Sequence, residues 1–195
     1  MRTDALHVLP DNLPMPQDDG ACDHLPGLPL PSLRLPATSG GSVDPSREGR
    51  PWLVLYCYPR TGRPDQAPLG GEAAWNAIPG ARGCTPQACA YRDHHAELTA
   101  LGAAVFGLST QESADQQEAA IRLHLGFPLL SDAGLAFART LRLPTFACEG
   151  LELVKRLTLI AREGRIEKVF YPVFPPDADA GRVVTWLRER AAALT

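Results

Sequence analysis

The chain has 195 residues, 45% of them hydrophobic and 21% charged, with a formal net charge of −3 and a sequence pI near 5.9. That length suffices for a single domain, residues 1–195, with its own core, and the mildly acidic balance without any Lys/Arg run excludes a phosphate-backbone footprint and with it nucleic acid as a partner. No stretch approaches the roughly 18 consecutive apolar residues of a membrane span, and MRTDALHVLPDNLPMP breaks at prolines before any signal-like apolar run, so a cytoplasmic location is expected.

The 19 prolines are about twice the average usage of roughly 5% and crowd into the first eighty residues. Residues 1–50 read as an extended N-terminal arm, with a short hairpin inside LPGLPLPSLRLPATSGGS, where apolar and turn residues alternate. WLVLYCY, Trp52 to Tyr58, is a continuous apolar and aromatic run between Pro51 and Pro59, as suits a strand buried on both faces. Residues 60–82 show no sustained period and several breakers, which predicts a long loop with a helical turn near Ala73 to Ala77; loops of that length are usually functional or mobile.

From Cys84 the pattern turns helical, with Ala88, Tyr91, His95, Leu98 and Leu101 at three- and four-residue steps until Gly102. AVFGLS predicts a second buried strand. Ser113 and Gln116 have capping-box spacing before a helix that Gly126 ends. FPLLSD reads as a short strand, AGLAFARTL as a short helix and LPTFACEG as a turn-rich connection. RLTLIA and IEKVFYPV, flanking Arg162-Glu163-Gly164-Arg165, predict an antiparallel hairpin, and Val183, Val184, Trp186 and Leu187 mark a C-terminal helix face. Alternating βα units followed by an antiparallel pair predict an α/β fold with a mixed central sheet flanked by helices.

Five cysteines at irregular spacing argue against a structural disulfide framework in a reducing compartment. Cys57 lies on a buried strand and reads as core, while Cys22 and Cys148 stay open. Cys84 and Cys89, in GCTPQAC, invite three readings: a reactive pair, a metal clamp or two core thiols. Cys84 follows Gly83 at the expected helix start, where unpaired N–H groups and the helix dipole favour a thiolate. Five residues of helix separate the two Cα atoms by roughly 8–9 Å, beyond the ~7 Å a disulfide allows, so bonding the pair requires the first turns to unwind. Pro86 near the start is compatible with a helix that opens there. Four intervening residues are not zinc-knuckle spacing and no second Cys/His pair follows. Buried structural thiols remain the plain alternative. His94 and His95, adjacent on a helix, point about 100° apart and read as packing or surface residues. Arg92 and Asp93 read as a local ion pair.

VLYCYPR, GCTPQACAYRD, VFGLSTQ, FPLLSD and KRLTLIAREGRIEKVFYPV occur in this order over roughly residues 50–190, and with them the sequence resembles the peroxiredoxins, of the peroxiredoxin Q or bacterioferritin comigratory protein type. The resemblance implies a thioredoxin-like fold and a thiol-dependent peroxidase that needs no cofactor and no metal. It implies Cys84 as the peroxidatic cysteine and Cys89 as the resolving one. Thioredoxin or a glutaredoxin-like protein would be the reductant of the resulting disulfide, and a hydroperoxide the substrate. It further implies Arg156 as the arginine that keeps the thiolate charged, with Lys155 facing the other side, and Pro59 as the motif's proline. Monomers and homodimers are both compatible.

The match breaks in one place. The family motif runs proline, three residues, Thr or Ser, two residues, cysteine, yet Pro59 lies 25 positions before Cys84, so about 18 residues are inserted. Ala81 stands where the hydroxyl belongs. Thr61, just before the insertion, is the candidate to fold back as the peroxide-orienting hydroxyl; Arg60, Arg63 or Arg82 are candidates to supply charge. Trp75 inside the insertion, a large apolar group in polar company, is expected to dock. A non-catalytic redox sensor, favoured by Ala81 and the insertion, and a thioredoxin-type disulfide oxidoreductase on the same fold are the competing functions.

Overall fold

The computed structural model describes residues 6–193. The arm contributes β1 (Leu35–Pro36) and β2 (Ser42–Val43), the expected short antiparallel pair. β3 (Trp52–Cys57) precedes the insertion, which contains α1 (Glu72–Ala77). α2 (Cys84–Asp93), α3 (His95–Ala100), β4 (Ala103–Ser109), α4 (Ser113–Arg122), β5 (Leu129–Ser131) and α5 (Ala136–Leu141) follow. A hairpin of β6 (Thr145–Cys148) and β7 (Leu151–Val154) leads to β8 (Leu157–Arg162), β9 (Arg165–Phe170) and α6 (Asp179–Ala193).

The central sheet has the order β5-β4-β3-β8-β9. β3 is parallel to β4, and β4 to β5; β8 is antiparallel to both β3 and β9, which is the predicted mixed sheet. Every residue of β3 is buried, so its alternate side chains feed two cores. Val54, Tyr56 and Tyr58 meet Tyr91 of α2, Leu98 of α3 and Val183 of α6. Leu53, Leu55 and Cys57 meet Phe137 of α5 and, from the arm, Cys22, Leu25 and Leu30.

The arm is therefore one of the covering layers. Cys22 lies in that core, where burial pushes its thiol up to about 12; Cys57 beside it is likewise raised by burial. Asp19 ties the arm to the sheet, accepting from Lys155 Nζ at 2.9 Å and from the Tyr171 hydroxyl at 2.8 Å, and these two donors hold its carboxyl down to about 2. No helix among the described residues is long and apolar enough to cross a membrane.

Three expectations are corrected. The helix expected from Cys84 to Leu101 is two helices, broken at His94 (φ −91°, ψ 0°), whose N–H bonds back to Ala90 and Arg92. The capping box does not form: Ser113 is already inside α4, and the Gln116 amide is committed to the Tyr58 hydroxyl and the Leu130 carbonyl, so it cannot reach back to the helix start. The turn-rich connection LPTFACEG contains β6, paired with β7. Their turn, Glu149-Gly150, has φ of 49° and 75°, and Glu163-Gly164 between β8 and β9 has φ of 50° and 73°; both central residues positive is what a two-residue hairpin requires.

Gly107 brings the helices close to the sheet. It sits opposite Tyr56, and a Cβ there would lie 2.7 Å from the Tyr56 hydroxyl and 2.6 Å from Leu129 Cδ2. Without one, Tyr56 lies across β4 and stacks on Tyr91 of α2, ring centres 4.3 Å apart and planes 9° from parallel. α2 thereby presents its N-terminus at the edge of the sheet where β8 begins.

Candidate active site

Cys84 is the first residue of α2 and is 4% exposed. Gly83 before it has φ 106°, a conformation that L side chains rarely adopt. A Cβ on it would lie 2.6 Å from Pro176 Cγ and 2.9 Å from Leu9 Cδ2, so the chain turns into the helix only because nothing projects there. Strain at positive φ and overpacking each cost about 1–3 kcal/mol. Gly83→Ala is therefore expected to lower unfolding free energy by roughly 2–5 kcal/mol, read as a shifted denaturant midpoint at constant slope; an unshifted midpoint would show that the turn tolerates a side chain.

Arg156, the residue before β8, is 3% exposed. Its Nη2 lies 3.1 Å from Cys84 Sγ and 3.2 Å from the carbonyls of both Ala81 and Arg82. Nε donates to the Gly80 carbonyl at 3.3 Å and Nη1 to Gln87 Oε1. A guanidinium has five N–H donors in a fixed fork, and this one spans the end of the insertion, the helix and the sulfur at once. Lys155, its neighbour, reaches Asp19 and Tyr171 instead.

Behind the arginine lies Asp179, the buried first residue of α6. Its Oδ2 accepts from Gln87 Nε2 at 2.8 Å, the Tyr91 hydroxyl at 2.8 Å and the Thr158 hydroxyl at 2.7 Å. Burial pushes its carboxyl above the ordinary range, against these three donors.

The insertion forms a wall of the site. Trp75 is buried against Leu153, Phe146 and Cys148 of the β6–β7 hairpin and beside the fully buried Ala81, so the expected docking takes place on this domain. Above Cys84 remains a cavity of about 50 Å³ whose walls include Leu6, Arg60, Pro68, Glu72 and Trp75. At the position of the missing hydroxyl the Ala81 backbone carbonyl faces the site, accepting from Arg156 and from the Cys84 thiol at 3.7 Å.

Thr61, the candidate for that hydroxyl, is bonded to Gln111. It is buried, with its Oγ1 donating to Gln111 Oε1 at 2.9 Å and its N–H to the same oxygen at 2.8 Å, while its neighbours Arg60 and Gly62 line the cavity. Pro59 is buried beneath, its carbonyl accepting from the Ser109 hydroxyl at 2.9 Å. Arg60 and Arg63 both pair with Asp115, at 3.1 and 2.9 Å, and Arg82 approaches Glu72 at 3.7 Å.

Cys89 is half-buried on the same helix, its Sγ 3.8 Å from His7 Nδ1, and burial raises its thiol despite the nearby Arg92. All five cysteines are free thiols, and with α2 intact the helix itself keeps Cys84 and Cys89 too far apart to bond. Arg92 pairs with Asp93 at 2.9 Å and His94 with Glu97 at 3.2 Å, while the His95 ring packs 5.3 Å from Phe127. Gln87 and Asp179 were not singled out from sequence. A polar residue on the buried face of α2 was a readable signal for Gln87; an aspartate following Pro175-Pro176-Asp177-Ala178 gave none.

A family model described as Redoxin matches residues 25–184. The chain belongs to the redoxin family. Peroxiredoxin Q of rice (Oryza sativa subsp. japonica), a chloroplastic protein, is 28% identical over 163 residues, covering 83% of this chain and 66% of that protein. The chain thus spans about two thirds of that relative's length. The chloroplastic peroxiredoxin Q of Sedum lineare is 34% identical over 109 residues, 55% of this chain and 48% of that one. Among solved structures, the peroxidoxin BcpB of Mycobacterium tuberculosis superposes with a TM-score of 0.69 at 26% identity, over 85% of this chain and 98% of that one. Xanthomonas campestris peroxiredoxin Q shares the fold at a TM-score of 0.63 and 21% identity, over 92% and 98%. This redoxin accordingly has the thioredoxin-like fold that its own sheet order displays.

Proposed function

We propose that this redoxin is a thiol-dependent peroxidase with Cys84 as its nucleophile. The observation that carries the reading is the Arg156 Nη2 contact, 3.1 Å from a sulfur at a helix N-terminus. A guanidinium and a helix N-terminus are both complementary to negative charge, which an attacking sulfur and the peroxide oxygens beside it share in the transition state. The Cys84 thiolate attacks one oxygen of the hydroperoxide. The O–O bond breaks, and the leaving oxygen takes a proton to become water or an alcohol, leaving Cys84 as sulfenic acid.

Cys89 is the proposed resolving residue. Its thiol condenses with the sulfenic acid, expelling water and forming an intramolecular disulfide, after the first turns of α2 have unwound. A dithiol protein of thioredoxin or glutaredoxin type, in a reducing cytoplasm, returns both thiols by exchange. Hydrogen peroxide and small organic hydroperoxides are the proposed substrates. Pro59 serves as the strand end from which the insertion starts, and Thr61 holds that start to Gln111.

Cys84→Ser is expected to abolish peroxide consumption with a dithiol donor, and Cys89→Ser to leave the first turnover intact while stopping the cycle. Peptide mapping after one equivalent of peroxide should find Cys84 joined to Cys89. A bond from Cys84 to Cys148 or between subunits would overturn the resolving assignment, and turnover surviving in Cys84→Ser would overturn the nucleophile.

A further inference from the structure

We infer that Asp179 is a positioning residue for this site, acting on Arg156 through Gln87. A guanidinium only donates, so Gln87 must turn its Oε1 to Arg156. Its Nε2 then points the other way and needs an acceptor, which Asp179 Oδ2 supplies at 2.8 Å. An amide can be flipped end for end with little change in shape, and here an acceptor behind it and a donor before it leave one orientation satisfied.

The carboxyl is itself fixed. Oδ2 takes three donors from two further elements, Tyr91 on α2 and Thr158 on β8, besides Gln87, whereas Oδ1 has no hydrogen-bond partner among the described residues. All three bonds converge on one oxygen, and one of them comes from the residue that holds the arginine. Burial raises the carboxyl, and a proton on the unpartnered Oδ1 still leaves Oδ2 as the acceptor, so the orientation of Gln87 is set in either protonation state. Without that acceptor Gln87 is free to turn its amide, present N–H groups to Arg156 and push the guanidinium off the sulfur.

The inference rests on the peroxidase reading for its rate readout, and two readouts separate their failures. Misplacing a catalytic group by about 1 Å costs on the order of 100-fold, so Asp179→Ala should lower the second-order rate constant with hydrogen peroxide by about 10–100-fold. Asp179→Asn keeps a carbonyl oxygen for Gln87 and should stay within about threefold of the parent, because the acceptor is retained. In an Arg156→Lys background, where the fork is already lost, Asp179→Ala should cost less than about threefold more, since residues acting as one unit are not additive.

A folded Asp179→Ala protein at the parental rate would overturn the inference. So would a full further loss on top of Arg156→Lys, which marks a general structural role. Should Asp179→Ala not fold, Gln87→Met, which removes both amide contacts, takes its place, and a parental rate there overturns the route through Gln87. If the parent itself consumes peroxide no faster than a free thiol, the peroxidase reading falls alone. The rate of Cys84 carboxamidomethylation by iodoacetamide, followed by peptide mass, then tests the linkage: a severalfold change in Asp179→Ala but not in Asp179→Asn supports it, and no change in either overturns it.

Discussion

Arg156→Lys should lower the rate constant for hydrogen peroxide by about 100- to 1000-fold, the range seen when one preorganised donor to a developing oxyanion is removed. The substitution keeps a positive charge, so the loss measures geometry. Lysine is a point charge on a flexible stem and cannot meet Gln87, Cys84 and the carbonyls of Gly80, Ala81 and Arg82 together. Those carbonyls, of which that of Ala81 is buried, close the insertion onto the helix, and leaving a buried acceptor unpaired costs about 1–3 kcal/mol. A fall of about 3 kcal/mol in unfolding free energy should accompany the loss of rate. A lysine variant within threefold of the parent would show that charge alone suffices, and that the five-contact fork has no catalytic consequence.

Trp75→Ala is the second large effect. Trp75 is 5% exposed and anchors α1 on the β6–β7 hairpin, its ring 6.3 Å from that of Phe146. Truncating a buried tryptophan costs about 3–5 kcal/mol. The loss should fall on the insertion, visible as faster amide exchange across residues 69–82 with the central sheet protected. Trp75 also walls the cavity over Cys84. Removing the indole widens that wall, which favours a bulky hydroperoxide more than a small one. The ratio of the rate constants for hydrogen peroxide and cumene hydroperoxide should therefore fall by about tenfold in the variant, the effect of relieving ~1.4 kcal/mol of steric exclusion. An unchanged ratio would mean that the insertion does not set the width of the site.

The sheet and the cysteines were legible because their signals are local. A short apolar and aromatic run between prolines suits a strand covered on both faces, and a cysteine after glycine at the head of a periodic stretch marks a helix start. The Arg156 position followed from resemblance, and the structure adds the three carbonyls it holds. The β6–β7 hairpin was missed because β6 is short and only partly buried, so no alternation stood out, although its Glu149-Gly150 turn repeats the signal read correctly at Glu163-Gly164. Thr61 was read without its partner. Its hydroxyl is of the right type and near the right place in sequence, but Gln111, 50 residues away, claims it. Long-range partners of single polar residues leave no periodic trace, and Asp179, joined to Gln87 across 92 residues, is hidden in the same way.

The insertion changes how the site is assembled. Where the family motif sets a hydroxyl three residues before the cysteine, this chain sets the buried Ala81 and offers its carbonyl instead. A carbonyl accepts but cannot donate, so in the proposed reaction the donors left beside Cys84 are Arg156 and the N–H groups that open α2. Arg60 and Arg82 at the cavity wall are engaged by Asp115 and Glu72.

The most direct test of this account mixes the fully reduced protein with one equivalent of hydrogen peroxide at neutral pH, in a stopped-flow instrument. Tryptophan fluorescence and free-thiol content are followed together. The account predicts a fast phase at least a thousandfold quicker than a free cysteine under the same conditions, equivalent to about 4 kcal/mol of barrier lowering, with loss of two thiols per chain. Oxidation no faster than that of the free thiol would contradict it.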